Sequence, residues 1–322
     1  MKQLFFAMVF YAALLATAEG AVAETYPSRP IRFIVPQTPG GTSDIVARMV
    51  AQKLAEAVKQ PVVIDNRAGA SGTIGTAIAA KAPADGYTIV LAYTVHTTSA
   101  ALYAQLPYDP VRSFATVTIL ATAPLLLVVP PRVPATTVAE FIRVAKTAPR
   151  PLTFGSAGNG SGGHLAGELL KVMAQVPLAH IPYRGTGQAI TELIGGQIDF
   201  MFAAIIPIQP HVKSGRLRGI AVSSTRRSVT APEIPTVAES GLEGFEYIGW
   251  YGVLAPAGTP GAVIARLHAE FVKILQLPDL RERLLTDGAE TMGNSPAEFA
   301  AFLKAEMERW ARVIKQAGAK ID

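Results

Sequence analysis

At 322 residues, with half of them hydrophobic and only 16% charged, the chain is too apolar to be disordered and too long for one ordinary core. Cysteine is absent, which removes disulfides, thiolate catalysis and Cys-based metal sites together. The net charge of +5 favours acidic ligands, but the Lys and Arg residues are scattered, without the basic stripe or interleaved aromatics of a nucleic-acid surface.

The first 23 residues read as a secretory signal peptide. Lys2 supplies the positive start, 4–16 is an apolar run too short to span a membrane comfortably, and Ala21-Val22-Ala23 is a small-residue cleavage site. Cleavage after Ala23 would leave a chain starting at Glu24 in the periplasm. No later stretch approaches the ~18–20 uninterrupted apolar residues of a spanning helix.

Residues 31–35 form an apolar strand that runs into the turn Pro36-Gln37-Thr38-Pro39-Gly40-Gly41. The turn opens into an amphipathic helix beginning Thr42-Ser43-Asp44, with Val46, Met49, Val50, Leu54 and Val58 on one face. Such a junction aims free backbone N–H groups at one point, and that point suits an anion. A strand at 62–64, a Gly-rich loop (Gly69, Gly72, Gly75), a short Ala-rich helix and a strand at 87–93 follow. The stretch Tyr93-Thr94-Val95-His96-Thr97, at the end of that strand, is placed to line the distal end of a ligand.

The theme then repeats in architecture, without a residue-level repeat. A strand at 152–154 enters Gly155-Ser156-Ala157-Gly158-Asn159-Gly160-Ser161-Gly162-Gly163-His164, a second cradle, followed by a helix to 176. Strands at 178–181, 198–202 and 217–222 and a helix at 186–195 complete the second unit. Short continuous apolar strands alternating with helices predict parallel sheets covered on both faces. The apolar runs at 116–129 and 247–254 read as two crossings between lobes, a hinge. The expected fold is therefore α/β: two Rossmann-like lobes joined by a two-strand hinge, with 24–123 plus 250–322 as lobe 1 and 124–249 as lobe 2. Ser295-Pro296-Ala297-Glu298 is a capping box opening a last helix, whose Phe299, Phe302, Leu303, Trp310 and Ile314 are expected to pack on lobe 1.

Several residues carry competing readings. Asp44 reads as a cap of its own helix. His164 and Glu168, at i,i+4, have no third ligand nearby in sequence, so neither a metal nor another cofactor is expected; His164 lines the cleft or packs beneath the loop. His96 and Trp250 each read equally as ligand contact or as packing. Arg184 reaches a distal carboxylate or is a solvated loop charge. Neither cradle is a nucleotide loop, since no Gly-Lys-Ser/Thr follows and the dinucleotide spacing is not met. The rival class is a secreted hydrolase using Ser161 and His164. Its Ser lacks a nucleophile-elbow setting, and no acid is placed to orient the His.

The ordered set of motifs resembles the tripartite tricarboxylate transporter substrate-binding family, the Bug or TctC receptors. The residues that carry the likeness are Val35-Pro36-Gln37-Thr38-Pro39-Gly40-Gly41-Thr42-Ser43-Asp44, Asn66-Arg67-Ala68-Gly69-Ala70-Ser71-Gly72-Thr73-Ile74-Gly75, Asp85-Gly86-Tyr87-Thr88 and Leu106-Pro107-Tyr108-Asp109-Pro110. They continue through the second cradle to Glu168, then Pro182-Tyr183-Arg184-Gly185, Pro235-Thr236-Val237-Ala238-Glu239 and Ala255-Pro256-Ala257-Gly258-Thr259-Pro260. The resemblance implies a type II periplasmic binding protein that hands organic acids to a membrane permease, with both loops gripping a carboxylate. Many relatives carry an acidic or amide pair where Ala203-Ala204 stand here, which counts against amino-acid ligands and leaves room for an apolar or aromatic body. Together the two readings give an expected ligand site of Gln37, Thr38, Gly40, Gly41, Thr42, Ser43, Thr94, His96, Ser156, Ala157, Gly158, Asn159, Gly160, Ser161, His164, Ala203 and Ala204. The expected state is a monomeric receptor for a dicarboxylate or aromatic carboxylate.

Overall fold

The computed structural model describes residues 26–103, 105–286 and 288–318, and for Ile206 the backbone alone. The expected signal peptide and its cleavage site lie outside the described residues.

In the first lobe β1 (Ile31–Val35) lies between β2 (Val62–Asn66) and β3 (Thr88–Tyr93), parallel to both. The connecting helices are α1 (Thr42–Val58) and α2 (Thr73–Ala80). Helix α1 buries Val46, Val50, Leu54 and Val58, the i,i+4 stripe legible in its sequence. The second lobe repeats this arrangement: β5 (Leu152–Ser156) lies between β6 (Leu178–Pro182) and β7 (Phe200–Ala204), all parallel. Helix α4 (Val138–Thr147) precedes β5, and helices α5 (Gly162–Ala174) and α6 (Thr186–Ile194) make the crossovers there.

Both crossings form as continuous strands, but they run antiparallel to their neighbours, so the sheets are mixed rather than parallel. Strand β4 (Phe114–Val129) is 16 residues long. Its first part pairs with β9 (Ile248–Pro256), and its last residues pair with β7 and with β8 (Arg218–Val222). Strand β9 also pairs antiparallel with β3. An apolar run identifies a buried strand but not its direction, which is set by the topology of the return path.

The hinge has a side-chain knot at Ser223. Its hydroxyl accepts the Leu125 N–H at 2.9 Å and donates to the Tyr247 carbonyl at 2.7 Å. Its backbone N–H donates to the Leu125 carbonyl, and its carbonyl accepts the Tyr247 N–H. One fully buried serine thus ties both crossing strands together where they leave the second lobe.

Three elements differ from the sequence expectation. Residues 94–97 do not extend β3; they open a helix, α3 (Thr94–Leu102). Its β-branched residues are tolerated because buried hydroxyls bond back along the helix, Thr97 to the Thr94 carbonyl at 2.8 Å and Ser99 to the His96 carbonyl at 3.2 Å. A short helix, α7 (Ile205–Lys213), follows β7. The last helix, α10 (Pro296–Ala317), does start with the Ser295/Glu298 capping box, but it spans both lobes instead of packing on the first alone. Phe299 and Leu303 join the first-lobe cluster around Trp250, while Trp310, Val313 and Ile314 enter the second-lobe core beside Phe245 and Tyr247. Between α7 and α10 the second lobe adds β8, and the first adds α8 (Gly261–Leu275) and α9 (Pro278–Thr286).

Candidate functional site

Between the lobes lies a cleft of about 400 Å³, a size suited to a small metabolite. The starts of α1 and α5 both line it, through Gly41, Thr42 and Ser43 on one side and Ser161, Gly162 and Gly163 on the other. Neither helix has a side-chain cap at its N-terminus. The first-turn N–H groups of both helices, with the positive ends of two helix dipoles, are therefore directed into one cavity.

Each cradle is braced from behind. In the first, the Asp44 carboxylate accepts the Gly40 N–H at 3.0 Å, Arg48 Nε at 2.9 Å and Asn66 Nδ2 at 2.9 Å. Burial opposes its ionisation, but the bonds from Arg48, Gly40 and Asn66 outweigh it and hold the carboxyl below the usual carboxylate range. Asp44 thus bonds the turn before its helix. Asn66 also donates to the Gln37 carbonyl at 3.2 Å, fixing the loop.

In the second cradle Ser156 Oγ accepts the Gly158 N–H at 3.1 Å and bonds His180 Nε2 at 2.7 Å. Gly160 N–H donates to His164 Nδ1 at 3.0 Å, which places that ring's proton on Nε2. The two imidazoles stack with centroids 4.0 Å apart. Burial pulls the His164 pKa down to about 4 and the His180 pKa down to about 3, so both rings are neutral near pH 7. Gly158, at φ +119°, adopts a backbone conformation that L side chains rarely reach. Gly162 is required for a different reason: a Cβ there would lie 2.2 Å from the Tyr247 hydroxyl.

Of the expected site residues, Gln37, Thr38, Gly41, Thr42, Ser43, Thr94, Ala157, Gly158, Asn159, Ser161, Ala203 and Ala204 come together on the cleft wall. Gly40, Ser156, Gly160 and His164 do not line it; they form the backing of the two loops. His96 is also a correction. It is buried in α3 with Nε2 on the Pro110 carbonyl at 2.8 Å, stacked near Tyr108 and edge-on to Phe114. Starting a helix at Thr94 turned His96 away from the side that Thr94 presents.

The wall also carries three tyrosines: Tyr93, from the stretch expected to line the ligand, and Tyr247 and Tyr251, which the sequence reading missed. Tyr247 bonds Thr94 Oγ1 at 3.1 Å across the hinge. Burial raises all three phenols above the ordinary value, Tyr251 to about 12, so they act as neutral hydrogen-bonding groups. Their signal was present: two lie in the segment read as a crossing, where alternate side chains must face the cleft. Trp250 contributes to the same wall but is fully buried, edge-on to Phe299 and Phe302. Among the described residues, the cleft wall carries no Asp, Glu, Lys or His; Arg184 is its one charged side chain.

The arrangement does not pair Ser161 with His164 as nucleophile and base. Ser161 Oγ donates to the Gly158 carbonyl at 2.6 Å, and His164 Nδ1 is occupied by the Gly160 N–H. What it brings together is two uncapped helix starts on one cleft between two hinged lobes, the architecture of a type II periplasmic binding protein. The sequence matches the family model described as the tripartite tricarboxylate transporter family receptor over residues 46–319. It is 41% identical over 292 residues, 90% of this chain and 87% of the other, to the UPF0065 protein in the tcbD-tcbE intergenic region of Pseudomonas sp. (strain P51). It is 34% identical to protein BugT of Bordetella pertussis, covering 100% of this chain and 99% of that one. Among solved structures, Rpa4515 of R. palustris with adipate superposes with a TM-score of 0.83 at 36% identity, covering 92% of this chain and 100% of the other. The chain belongs to the tripartite tricarboxylate transporter receptor family, a family of periplasmic solute-binding receptors and not of enzymes.

Proposed function

We propose that this receptor captures a small organic acid by one carboxylate, held between the first turns of α1 and α5, and delivers it to a membrane permease of the tripartite type. The observation that carries this reading is the convergence of two uncapped helix starts on one cleft that has no acidic side chain among the described residues. Adipate in the R. palustris neighbour supports the same chemistry. The wall favours a ligand without an ammonium group: Ala203 and Ala204, paired with Leu126 and Leu125 of β4, supply no counter-charge. The body of the ligand is then aliphatic or aromatic, and the molecule a dicarboxylate or an aromatic carboxylate.

The lobes that close on it are 24–123 with 250–322 and 124–249, hinged at Ser223 and strapped by α10, and the receptor acts as a monomer. It is exported by cleavage after Ala23, so mass spectrometry of periplasmic protein should find Glu24 first; an intact Met1 in a membrane fraction would contradict export. A thermal-shift screen of that mature chain tests the ligand class. An acid at ~100 times its dissociation constant should stabilise the native state by about 2.7 kcal/mol. For this chain length that is a rise of very roughly 5 °C or more. Sugars, amino acids and the primary amide of the same acid should be near silent. A strong shift with a neutral sugar and none across a broad acid panel would overturn the proposal.

A further inference from the structure

On the reading above the two helix starts account for one carboxylate, and among the described residues the cleft wall holds one charged side chain besides. Arg184 lies between β6 and α6 and lines the same cavity as the cradles. Its loop is fixed against the second cradle. The Tyr183 N–H donates to the Ser156 carbonyl at 3.0 Å, and the Tyr183 carbonyl would lie 3.5 Å from a Cβ on Gly158. Arginines elsewhere in the fold are engaged: Arg132 and Arg150 bind Asp199, and Arg48 binds Asp44. The Arg184 guanidinium is exposed, with no hydrogen bond or ion pair among the described residues. An arginine unpartnered in a cleft without acidic side chains is placed to take its partner from the ligand, and its planar fork matches a carboxylate through two parallel bonds.

We propose that Arg184 reads a second carboxylate, at the far end of the ligand from the cradles, and so makes the receptor selective for dicarboxylates over monocarboxylates of the same length. This rests on the carboxylate reading above and decides between its two ligand classes. The alternative, a solvated loop arginine, predicts no such preference.

The test uses calorimetric titration of the mature receptor and of Arg184→Gln and Arg184→Lys with straight-chain dicarboxylates of four to ten carbons and the matching monocarboxylates, adipate with hexanoate for example. The best dicarboxylate should bind the wild type at least 30-fold more tightly than its monocarboxylate partner. Arg184→Gln should erase that ratio by weakening the dicarboxylate alone, leaving the monocarboxylate within about twofold, and Arg184→Lys should restore part of it. Equal wild-type binding of both acids overturns the role of Arg184 while leaving the receptor reading intact. So does an Arg184→Gln variant that weakens both acids alike, because the arginine would then be serving the first carboxylate. Wild-type protein that binds no acid of either series overturns the carboxylate reading and this inference together.

Discussion

Replacing Gly158 with Val should weaken binding of the cognate acid at least a hundredfold, about 2.7 kcal/mol, while the unliganded receptor stays folded. The effect comes from the backbone. Gly158 sits at φ +119°, and a β-branched residue there costs about 1–3 kcal/mol of strain unless the loop changes shape. Space is not the obstacle, since the nearest atom to a new Cβ is the Tyr183 carbonyl at 3.5 Å. The loop relieves the strain by moving, and moving it breaks the register of the Ser156 and Ser161 bonds to Gly158 that aim the start of α5. Gly41 makes the informative contrast. Its φ is −78°, and a Cβ there would meet only Gln37 Oε1 at 3.6 Å and the Thr38 carbonyl at 3.9 Å. Gly41→Ala should therefore lose far less affinity than Gly158→Val. Titration calorimetry with circular dichroism decides it; a Gly158→Val receptor with wild-type affinity would place the site elsewhere.

The largest loss of stability is expected at Asp199, just before β7 and at the end of that strand remote from Ala203 and Ala204. Its carboxylate is 2% exposed and receives Arg132 and Arg150 at 2.8 Å each, with the Thr153 N–H at 2.8 Å and hydroxyl at 3.0 Å. Burial alone would raise its pKa, but these bonds overcome it and bring the value down to about 2. Asp199→Ala should destabilise the protein by about 3 kcal/mol at pH 7, the lower end for breaking a buried pair, because both arginines are roughly half exposed and regain water. The pH dependence has a definite sign. The folded-state pKa lies below the unfolded value near 3.8, so the stabilisation is present above pH ~4 and is lost as the pH falls towards 2. About 2 kcal/mol of the gap between wild type and variant should close over that window. Urea denaturation across pH 2–7 measures it; a gap that stays constant or widens in acid would contradict the assignment.

Much of this receptor was legible in its sequence because the informative signals were local. A glycine-rich turn between an apolar strand and an amphipathic helix can do few things, and both copies, around Gly41 and Gly158, proved to face one cleft. The capping box at Ser295 and the two crossing strands were equally local. What was hidden depended on contacts distant in sequence. His96 stands in a stretch that the sequence places just past a strand, with ligand contact and packing equally open; the helix starting at Thr94 turns it toward Tyr108 and Phe114. Ser156 and His164 belong to motif positions beside the cleft, yet their polar atoms are spent on holding Gly158 and Gly160. Strand direction at β4 and β9, and the reach of α10 across both lobes, follow from topology that residue patterns do not encode.

Backbone amide NMR of the two helix starts tests the central claim most directly. In 15N-labelled mature receptor, titration with the acid found by thermal screening should move the amide protons of Thr42 and Ser43 and those of Gly162 and Gly163 downfield together, with one dissociation constant, as each helix start donates to the carboxylate. The primary amide of the same acid should leave all four in place. Shifts confined to one helix start, or equal shifts with the neutral amide, would contradict a carboxylate gripped between the two lobes.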